Sequence, residues 1–127
     1  MITSPPIRVF LCDDVGAIRE LVRLALEHDP NVLVVGEAGD GNGCVDNVAD
    51  TRANVVLLDL AMPELDGLEA IPLIRERAPD ARIIVFSGFS ASRFADTAKT
   101  LGAVRYIEKG TSLDELRAAV HAAAPSS

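Results

Sequence analysis

Apolar runs of strand length alternate with amphipathic segments of helix length five times along the chain, and no other feature constrains the fold as strongly. Strands that alternate with helices build a parallel sheet, because right-handed crossovers place the helices on its two faces. The third run, VVLL at residues 55–58, is unbroken, as expected of a strand that is buried on both faces. We therefore predict an α/β fold with a doubly wound, five-stranded parallel sheet.

The strand order expected for such a sheet is 2-1-3-4-5, as in flavodoxin-like (βα)5 folds. The predicted strands comprise residues 7–12, 32–36, 54–58, 82–87 and 104–108. Helices are predicted between and after them, the second at about residues 42–51 and the fourth at about residues 91–101. The fourth helix has a thin apolar stripe, which predicts weak docking on the sheet.

Three helices have recognisable starts. Asp14 is a candidate to cap the first helix. Asp66 with Glu69, and Ser112 with Glu115, resemble the capping boxes that open the third and fifth helices. Apolar side chains recur in the first helix at the spacing of one helical face: Ile18, Leu21, Val22, Ala25 and Leu26.

The totals predict one folded domain. At 127 residues with 49% hydrophobic content and a mean hydropathy of +0.25, a single core is expected at about residues 7–122, followed by a tail or the start of a linker at residues 123–127. No apolar stretch approaches the roughly 20 residues that span a bilayer, and MITSPPIRV lacks the pattern of a signal peptide. A cytoplasmic location without a membrane partner is therefore expected.

Charge and cysteine content exclude further classes. The net charge is −7, and no cluster of Lys and Arg forms a patch, which argues against direct nucleic acid binding by this domain. The chain has only two cysteines, Cys12 in a predicted strand and Cys44 in a predicted helix. We expect both to be buried free thiols rather than a disulfide or metal ligands.

Polar residues follow four of the five predicted strands. Asp13 and Asp14 follow the first, Asp59 the third, Ser87 ends the fourth and Lys109 follows the fifth. The carboxyl ends of parallel strands open on one edge of the sheet, and in the order 2-1-3-4-5 these four strands are consecutive neighbours. The five side chains are therefore expected to converge there.

Each residue also has a structural interpretation: an acidic helix cap, a turn, a serine on a strand-end backbone group, or Lys109 paired with Glu108 or Asp114 at the surface. That all of these structural interpretations hold at once, for residues at one edge of the sheet, is less probable than any one of them alone. Two carboxylates 4 Å apart repel by roughly 4 kcal/mol at an effective dielectric of 20. Hard oxygen ligands without His or Cys suit Mg²⁺, and a carboxylate so placed can act as a nucleophile toward phosphorus.

Four motifs resemble the receiver domains of bacterial two-component response regulators: VFLCDDV, LLDLAMPELDG, VFSG and YIEKG. The resemblance implies that Asp59 accepts a phosphoryl group from a sensor histidine kinase. It implies a Mg²⁺ site and a switch in which a serine and a tyrosine move after phosphorylation. By residue, the implied metal site comprises Asp13, acting through water, and Asp14, Asp59 and the main-chain carbonyl of Ala61; the groups implied to act on the phosphoryl oxygens or in the switch are Ser87, Lys109 and Tyr106.

The sequence departs from the commonest receiver pattern after the lysine, where many members have proline and this chain has Gly110. No obligatory cis peptide is expected there, because a non-proline cis bond costs about 3 kcal/mol. The segment KGTSLDEL resembles the branch whose receivers precede helix-turn-helix domains that regulate transcription. By the same analogy, phosphorylation is expected to change self-association, as a homodimer, through the face with Tyr106 and Lys99.

Two other functions remain as alternatives to a non-enzymatic switch. One is a receiver-like interaction module that acts without phosphorylation, although the intact acidic, serine and lysine set argues against it. The other is a metal-dependent aspartyl phosphohydrolase of the haloacid dehalogenase type. That class places a second Asp two residues after the first on strand one, whereas Asp13 and Asp14 are adjacent and the candidate nucleophile, Asp59, follows strand three.

Overall fold

A computed structural model describes residues 5–125, so Ser126 and Ser127 at the end of the predicted tail lie outside the described residues. The five parallel strands form one sheet in the order β2-β1-β3-β4-β5, which confirms the predicted fold. The strands are β1 (Ile7–Cys12), β2 (Val32–Ala38), β3 (Val55–Leu58), β4 (Arg82–Ser87) and β5 (Arg105–Glu108). The helices are α1 (Gly16–Glu27), α2 (Gly41–Thr51), α3 (Gly67–Arg77), α4 (Ala91–Leu101) and α5 (Leu113–Ala123). None of the helices within residues 5–125 is long and apolar enough to cross a membrane.

Alternate strand residues bury their side chains on opposite faces of the sheet. Phe10, Val56 and Ile83 lie in the core beneath α2, α3 and α4, whereas Val9 and Val55 lie in the core beneath α1 and α5. The pleat of a strand produces this division, because successive side chains point to opposite faces. The two cores cover both faces, so polar residues at the strand ends are displaced to the edges. We call the edge at which the parallel strands end the carboxyl edge, and the opposite one the amino edge.

Strand β2 is longer than predicted. The sequence predicts an end at Gly36, but Gly36 pairs with Phe10 after a shift in register, and the strand continues to Ala38. A Cβ atom at Gly36 would lie 2.8 Å from the Phe10 ring. Glycine is needed here for close packing rather than for a turn, which is a recognised use of glycine within strands.

Two expectations for α1 are wrong. Asp14 does not cap the helix; the N-cap residue is Val15, whose amide donates to Asp13 Oδ1 at 2.9 Å. Leu21, assigned to the apolar face, has 51% of its surface exposed, while Val22 and Leu26 are buried. Helix α1 lies over the margin of the sheet, so the face it buries is narrower than its apolar pattern suggested.

The predicted starts of α3 and α5 are correct, since the N-cap side chains accept from the third helical amide: Asp66 Oδ1 from that of Glu69 and Ser112 Oγ from that of Glu115. Helix α4 is docked more thinly than the other helices, as predicted. Among its residues only Ala98 is buried.

Cys12 and Cys44 form a disulfide, so the expectation of free thiols is wrong. Cys12 ends β1 and Cys44 lies near the start of α2, and both are buried in the same core. Their Cα atoms are 6.0 Å apart, within the usual range for a disulfide. The pairing depends on how α2 docks over β1, which the 32-residue separation in sequence does not reveal.

Candidate functional site

The strand register places Asp13 and Asp59 side by side at the carboxyl edge. Cys12 pairs with Leu58 at the ends of β1 and β3, and the amide of Asp59 donates to the carbonyl of Cys12 at 2.9 Å. Asp13 is 5% exposed and Asp59 is 3% exposed. Two carboxylates at this degree of burial require a cation or donors to balance them.

Lys109 supplies part of that balance. Its Nζ lies 2.6 Å from Asp13 Oδ2 and 3.0 Å from Asp59 Oδ2. Burial alone would lower the pKa of Lys109, but the hydrogen bonds and charges of the two aspartates outweigh burial and raise that pKa above its ordinary value of 10.5. Lys109 therefore remains a cation at neutral pH.

Asp14 completes an acidic cluster, which we define as Asp13, Asp14 and Asp59. One ligand oxygen from each of the three lies within 4.8 Å of the others. Three carboxylates and the ammonium of Lys109 together carry a formal charge of −2. A small group of hard oxygen donors with uncompensated negative charge fits Mg²⁺ in both ligand type and charge.

Ser87 and Tyr106 meet at the loop between β4 and α4. Ser87 is fully buried at the end of β4, and its Oγ accepts a hydrogen bond from the amide of Phe89 at 3.2 Å. Tyr106 Oη donates to the carbonyl of Phe89 at 2.8 Å. Burial raises the pKa of Tyr106, and the charges of Glu108 and Asp59 add to this effect while a hydrogen bond with Ser87 opposes it. The tyrosine hydroxyl is therefore a stable donor at neutral pH.

The loop after β3 supports Asp59 from the other side. The amide of Ala61 donates to Asp59 Oδ1 at 3.3 Å. Gly67 opens α3 so close to this loop that a Cβ atom would lie 2.4 Å from the carbonyl oxygen of Asp59. Only glycine fits there, which explains why the DG pair at residues 66–67 follows the aspartate at this spacing.

The structural interpretations of these residues hold only in part. Asp13 does accept from the amide of Val15, and Ser87 does accept from a nearby amide, as a turn residue and a strand-end serine would. Lys109, however, pairs with Asp13 and Asp59 rather than with Glu108 or Asp114. Within residues 5–125 every peptide bond is trans, as expected at Lys109–Gly110, and Gly110 has a φ of 103°.

Sequence reasoning missed two residues around the site. Arg19 lies off the apolar face predicted for α1, yet its Nη1 donates to the carbonyl of Asp13 at 2.5 Å. For Glu108 the sequence indicates only a strand end or a surface partner of Lys109, but its Oε1 accepts from the amide of Ala91 at 2.7 Å. A signal for Glu108 was present, because it lies two residues after Tyr106 and therefore on the same face of β5.

This arrangement of aspartates, serine and lysine on a 2-1-3-4-5 sheet defines a class of signalling domain. A family model for the response regulator receiver domain matches residues 9–121. The chain therefore belongs to the response regulator receiver domain family of two-component systems. The resemblance drawn from the four sequence motifs is confirmed.

The relatives with curated names are of more than one kind. The chain is 33% identical over 124 residues to the nitrate/nitrite response regulator protein NarL of Escherichia coli, covering 98% of this chain and 57% of NarL. It is 36% identical over 118 residues to a protein-glutamate methylesterase/protein-glutamine glutaminase of Rhodospirillum centenum, covering 91% of this chain and 30% of that protein. The response regulator domain of Thermotoga maritima CheB has a similar structure, with a TM-score of 0.86, 29% identity, and coverage of 93% of this chain and 96% of that one. The chain thus spans about a third to just over half of the length of these curated relatives.

Proposed function

We propose that this domain is the phosphoacceptor switch of a response regulator, and that Asp59 receives a phosphoryl group from a sensor histidine kinase. The observation that carries the proposal is the buried Asp59 carboxylate at the end of a central strand, held by Lys109 and the Ala61 amide beside two further carboxylates. A carboxylate held in one position by neighbouring donors is suited to nucleophilic attack.

The proposed reaction is a transfer between two protein groups. A carboxylate oxygen of Asp59 forms a bond to phosphorus as the bond between phosphorus and the imidazole nitrogen of the kinase breaks. The leaving nitrogen keeps the electron pair, so the imidazole is released neutral or takes a proton from solvent. Lys109 is placed to pair with the phosphoryl oxygens, and Ser87 lies at the neighbouring strand end, where its hydroxyl can donate to them.

The acidic cluster is the proposed Mg²⁺ site. Asp14 and Asp59 would bind the ion directly, together with the main-chain carbonyl of Ala61, and Asp13 would act through a water molecule. A bound Mg²⁺ would neutralise charge on the phosphoryl oxygens. The −2 formal charge of the acidic cluster with Lys109 supports this assignment, because it leaves room for a divalent cation.

The decisive experiment is labelling with acetyl phosphate or a phosphorylated kinase in Mg²⁺. We expect one acid-labile phosphoryl group on the wild type, none on Asp59→Asn, and none in EDTA. Asp66→Asn is a matched control, because it removes an exposed carboxylate seven residues away and should retain labelling. Uptake of the same label by Asp59→Asn would contradict the proposal.

Two alternatives make different predictions in the same assay. An interaction module that acts without phosphorylation would take no label and would not change structurally with beryllofluoride and Mg²⁺. A metal-dependent aspartyl phosphohydrolase would turn over small phosphate esters repeatedly. The adjacent acids after β1 and the nucleophile after β3 favour the switch over the hydrolase, so we propose that the domain is not an enzyme in its own right.

The response that phosphorylation would control belongs to the whole protein and not to this domain alone. The similarity to NarL supports a transcriptional response regulator, with phosphorylation altering homodimerisation through the face that contains Tyr106 and Lys99. We propose no direct contact of this domain with nucleic acid. Sedimentation with and without beryllofluoride tests the dimer, and one unchanged mass would rule it out for this domain.

A further inference from the structure

The N-terminus of α4 is held by a side chain from another element. Its N-cap residue, Ser90, makes no side-chain capping hydrogen bond, and its hydroxyl lies 2.6 Å from that of Ser92. The amide of Ala91 donates instead to Glu108 Oε1 on β5, at 2.7 Å. A carboxylate at a helix N-terminus is stabilised by this kind of hydrogen bond and by the helix dipole. Glu108 therefore caps α4 from the neighbouring strand.

This cap is one of three hydrogen bonds through which β5 and the residue after it hold the segment between β4 and α4. The amide of Lys109 donates to the carbonyl of Ser87 at 2.7 Å. Tyr106 Oη donates to the carbonyl of Phe89 at 2.8 Å. Tyr106 and Glu108 are two residues apart on one strand, so they project from the same face. The segment 87–91 is thus fixed at its start, its middle and its end.

The cap matters because α4 is held by fewer buried side chains than α3. Helix α3 buries Gly67, Ala70, Ile71 and Ile74, whereas α4 buries only Ala98 and packs Phe94 and Leu101 partly buried against the same core. Elements with few buried apolar side chains open at lower free energy than those with many. A polar contact at the start of α4 therefore contributes a larger share of what positions that helix than it would for α3.

We propose that Glu108 is a positioning residue that holds the start of α4, and with it Ser87, in the arrangement of the unphosphorylated domain. The inference rests on the proposed function. Ser87 Oγ accepts from the amide of Phe89 at 3.2 Å, so any adjustment of the 87–91 segment that brings the hydroxyl closer to a phosphoryl group on Asp59 moves this contact as well. The cap at Ala91 opposes the adjustment. Its loss shifts the equilibrium toward the phosphoryl-bound arrangement.

The test uses two substitutions at Glu108 and two measurements. Glu108→Ala removes the acceptor, and Glu108→Gln keeps an acceptor oxygen without the charge. Without any phosphoryl analogue, hydrogen exchange at the Ala91 amide is expected to be about tenfold faster in Glu108→Ala and intermediate in Glu108→Gln. With Mg²⁺, the affinity for beryllofluoride is expected to rise about fivefold in Glu108→Ala, the scale of a lost helix cap, and about twofold in Glu108→Gln.

Glu115→Ala is the matched control. Its carboxylate lies on α5, is 53% exposed and is 3.5 Å from Arg105 on β5. It removes one surface charge without touching the cap, and both measurements are expected to match the wild type.

Each outcome decides the inference. Unchanged exchange at Ala91 in Glu108→Ala overturns the cap, and faster exchange with unchanged or weaker beryllofluoride affinity overturns the positioning role. If Glu108→Ala does not fold, the intermediate values of Glu108→Gln decide in its place. A wild-type domain that binds no beryllofluoride overturns the proposed function and the positioning role with it, and the exchange result separates that failure from a failure of the cap.

Discussion

Polar residues are paired differently at the two edges of the sheet. At the amino edge the groups are matched one to one: the amide of Arg8 donates to Asn54 Oδ1 at 2.9 Å, and its guanidinium donates to the carbonyl of Thr51 at 2.8 Å. His121 Nε2 lies 2.6 Å from Asp29 Oδ2. Hydrogen bonds from the Asn31 backbone and from His121 lower the pKa of Asp29. These contacts close the fold without holding like charges together.

At the carboxyl edge the hydrogen bonds are satisfied but the charges are not. No buried side-chain nitrogen or oxygen among residues 5–125 lacks a partner, yet the acidic cluster with Lys109 retains a formal charge of −2. Like charges held together cost stability, and a fold keeps them where a ligand of opposite charge repays that cost. The difference teaches that a cluster of like charges, rather than polarity itself, separates the candidate site from the structural edge.

The largest expected effect on stability comes from the Cys12–Cys44 disulfide at the carboxyl edge. Reduction of Cys12–Cys44 should lower the free energy of unfolding by about 3–4 kcal/mol, because the bond closes a loop with a sequence separation of 32. Urea unfolding with and without dithiothreitol measures the change. A Cys12→Ala/Cys44→Ala variant should be insensitive to the reductant. Equal midpoints for the wild type under both conditions would contradict the prediction.

Loss of Lys109 should sharpen the contrast between the edges. Lys109→Met leaves two buried carboxylates without their cation, and we expect the free energy of unfolding without Mg²⁺ to fall by about 2–3 kcal/mol. Arg8→Met is the matched control at the amino edge. It leaves the Thr51 carbonyl without its partner and should cost about 1 kcal/mol. Similar losses in the two variants would break the comparison.

The comparison of the wild type with Lys109→Met also predicts a dependence of stability on pH. Because the folded state raises the pKa of Lys109, the stability it contributes is fully present at neutral pH up to the ordinary value of 10.5 and is lost as pH rises through the folded value. The difference in unfolding free energy between wild type and Lys109→Met should therefore stay constant from pH 7 to pH 10 and shrink above that. A difference that already shrinks between pH 7 and pH 9 would contradict this assignment.

The sequence predicted the sheet and the convergence of its polar residues because both follow from local pattern. Buried strands such as β3 are unbroken apolar runs, and parallel order brings their ends together whatever the helices do. The Cys12–Cys44 bond and the Glu108–Ala91 cap were not predictable in this way. Each depends on the position of a docked helix to within about 1 Å, and apolar periodicity does not encode that. The prediction that Leu21 lies on the buried face of α1 was wrong for the same reason.

The lifetime of the proposed phosphoryl group tests what surrounds Asp59. Ala61 and Phe89 should flank the approach of water opposite the carboxylate, and neither side chain can hydrogen-bond a water molecule. Ala61 is exposed and Phe89 is 43% exposed. We therefore expect slow hydrolysis, and Ala61→Asn or Ala61→Glu should speed it about tenfold, which corresponds to roughly 1.4 kcal/mol in the barrier.

Decay of the phosphoprotein in excess Mg²⁺ measures this effect. Ala61→Val is the matched control, because it adds bulk without a group that orients water, and its decay should not accelerate. Wild-type decay within seconds, or no acceleration in Ala61→Asn and Ala61→Glu, would show that access of water is not what limits hydrolysis.

The smallest expected effect is the most direct test of charge imbalance. Asp14 is the exposed member of the acidic cluster, so Asp14→Asn relieves repulsion with little disturbance of packing. Without metal we expect the variant to be more stable than the wild type by about 0.5–1 kcal/mol, the scale of unit charges 4 Å apart in water. With saturating Mg²⁺ the order should reverse, because only the wild type retains the full ligand set and gains stability by mass action.

Asp46→Asn, which removes an exposed charge on α2, controls for the net charge of −7 and should show no reversal. Thermal unfolding in EDTA and in Mg²⁺ decides between these outcomes, and an Asp14→Asn domain that is less stable in EDTA, or equally stabilised by Mg²⁺, would mean that the acidic cluster is not held under repulsion for a cation.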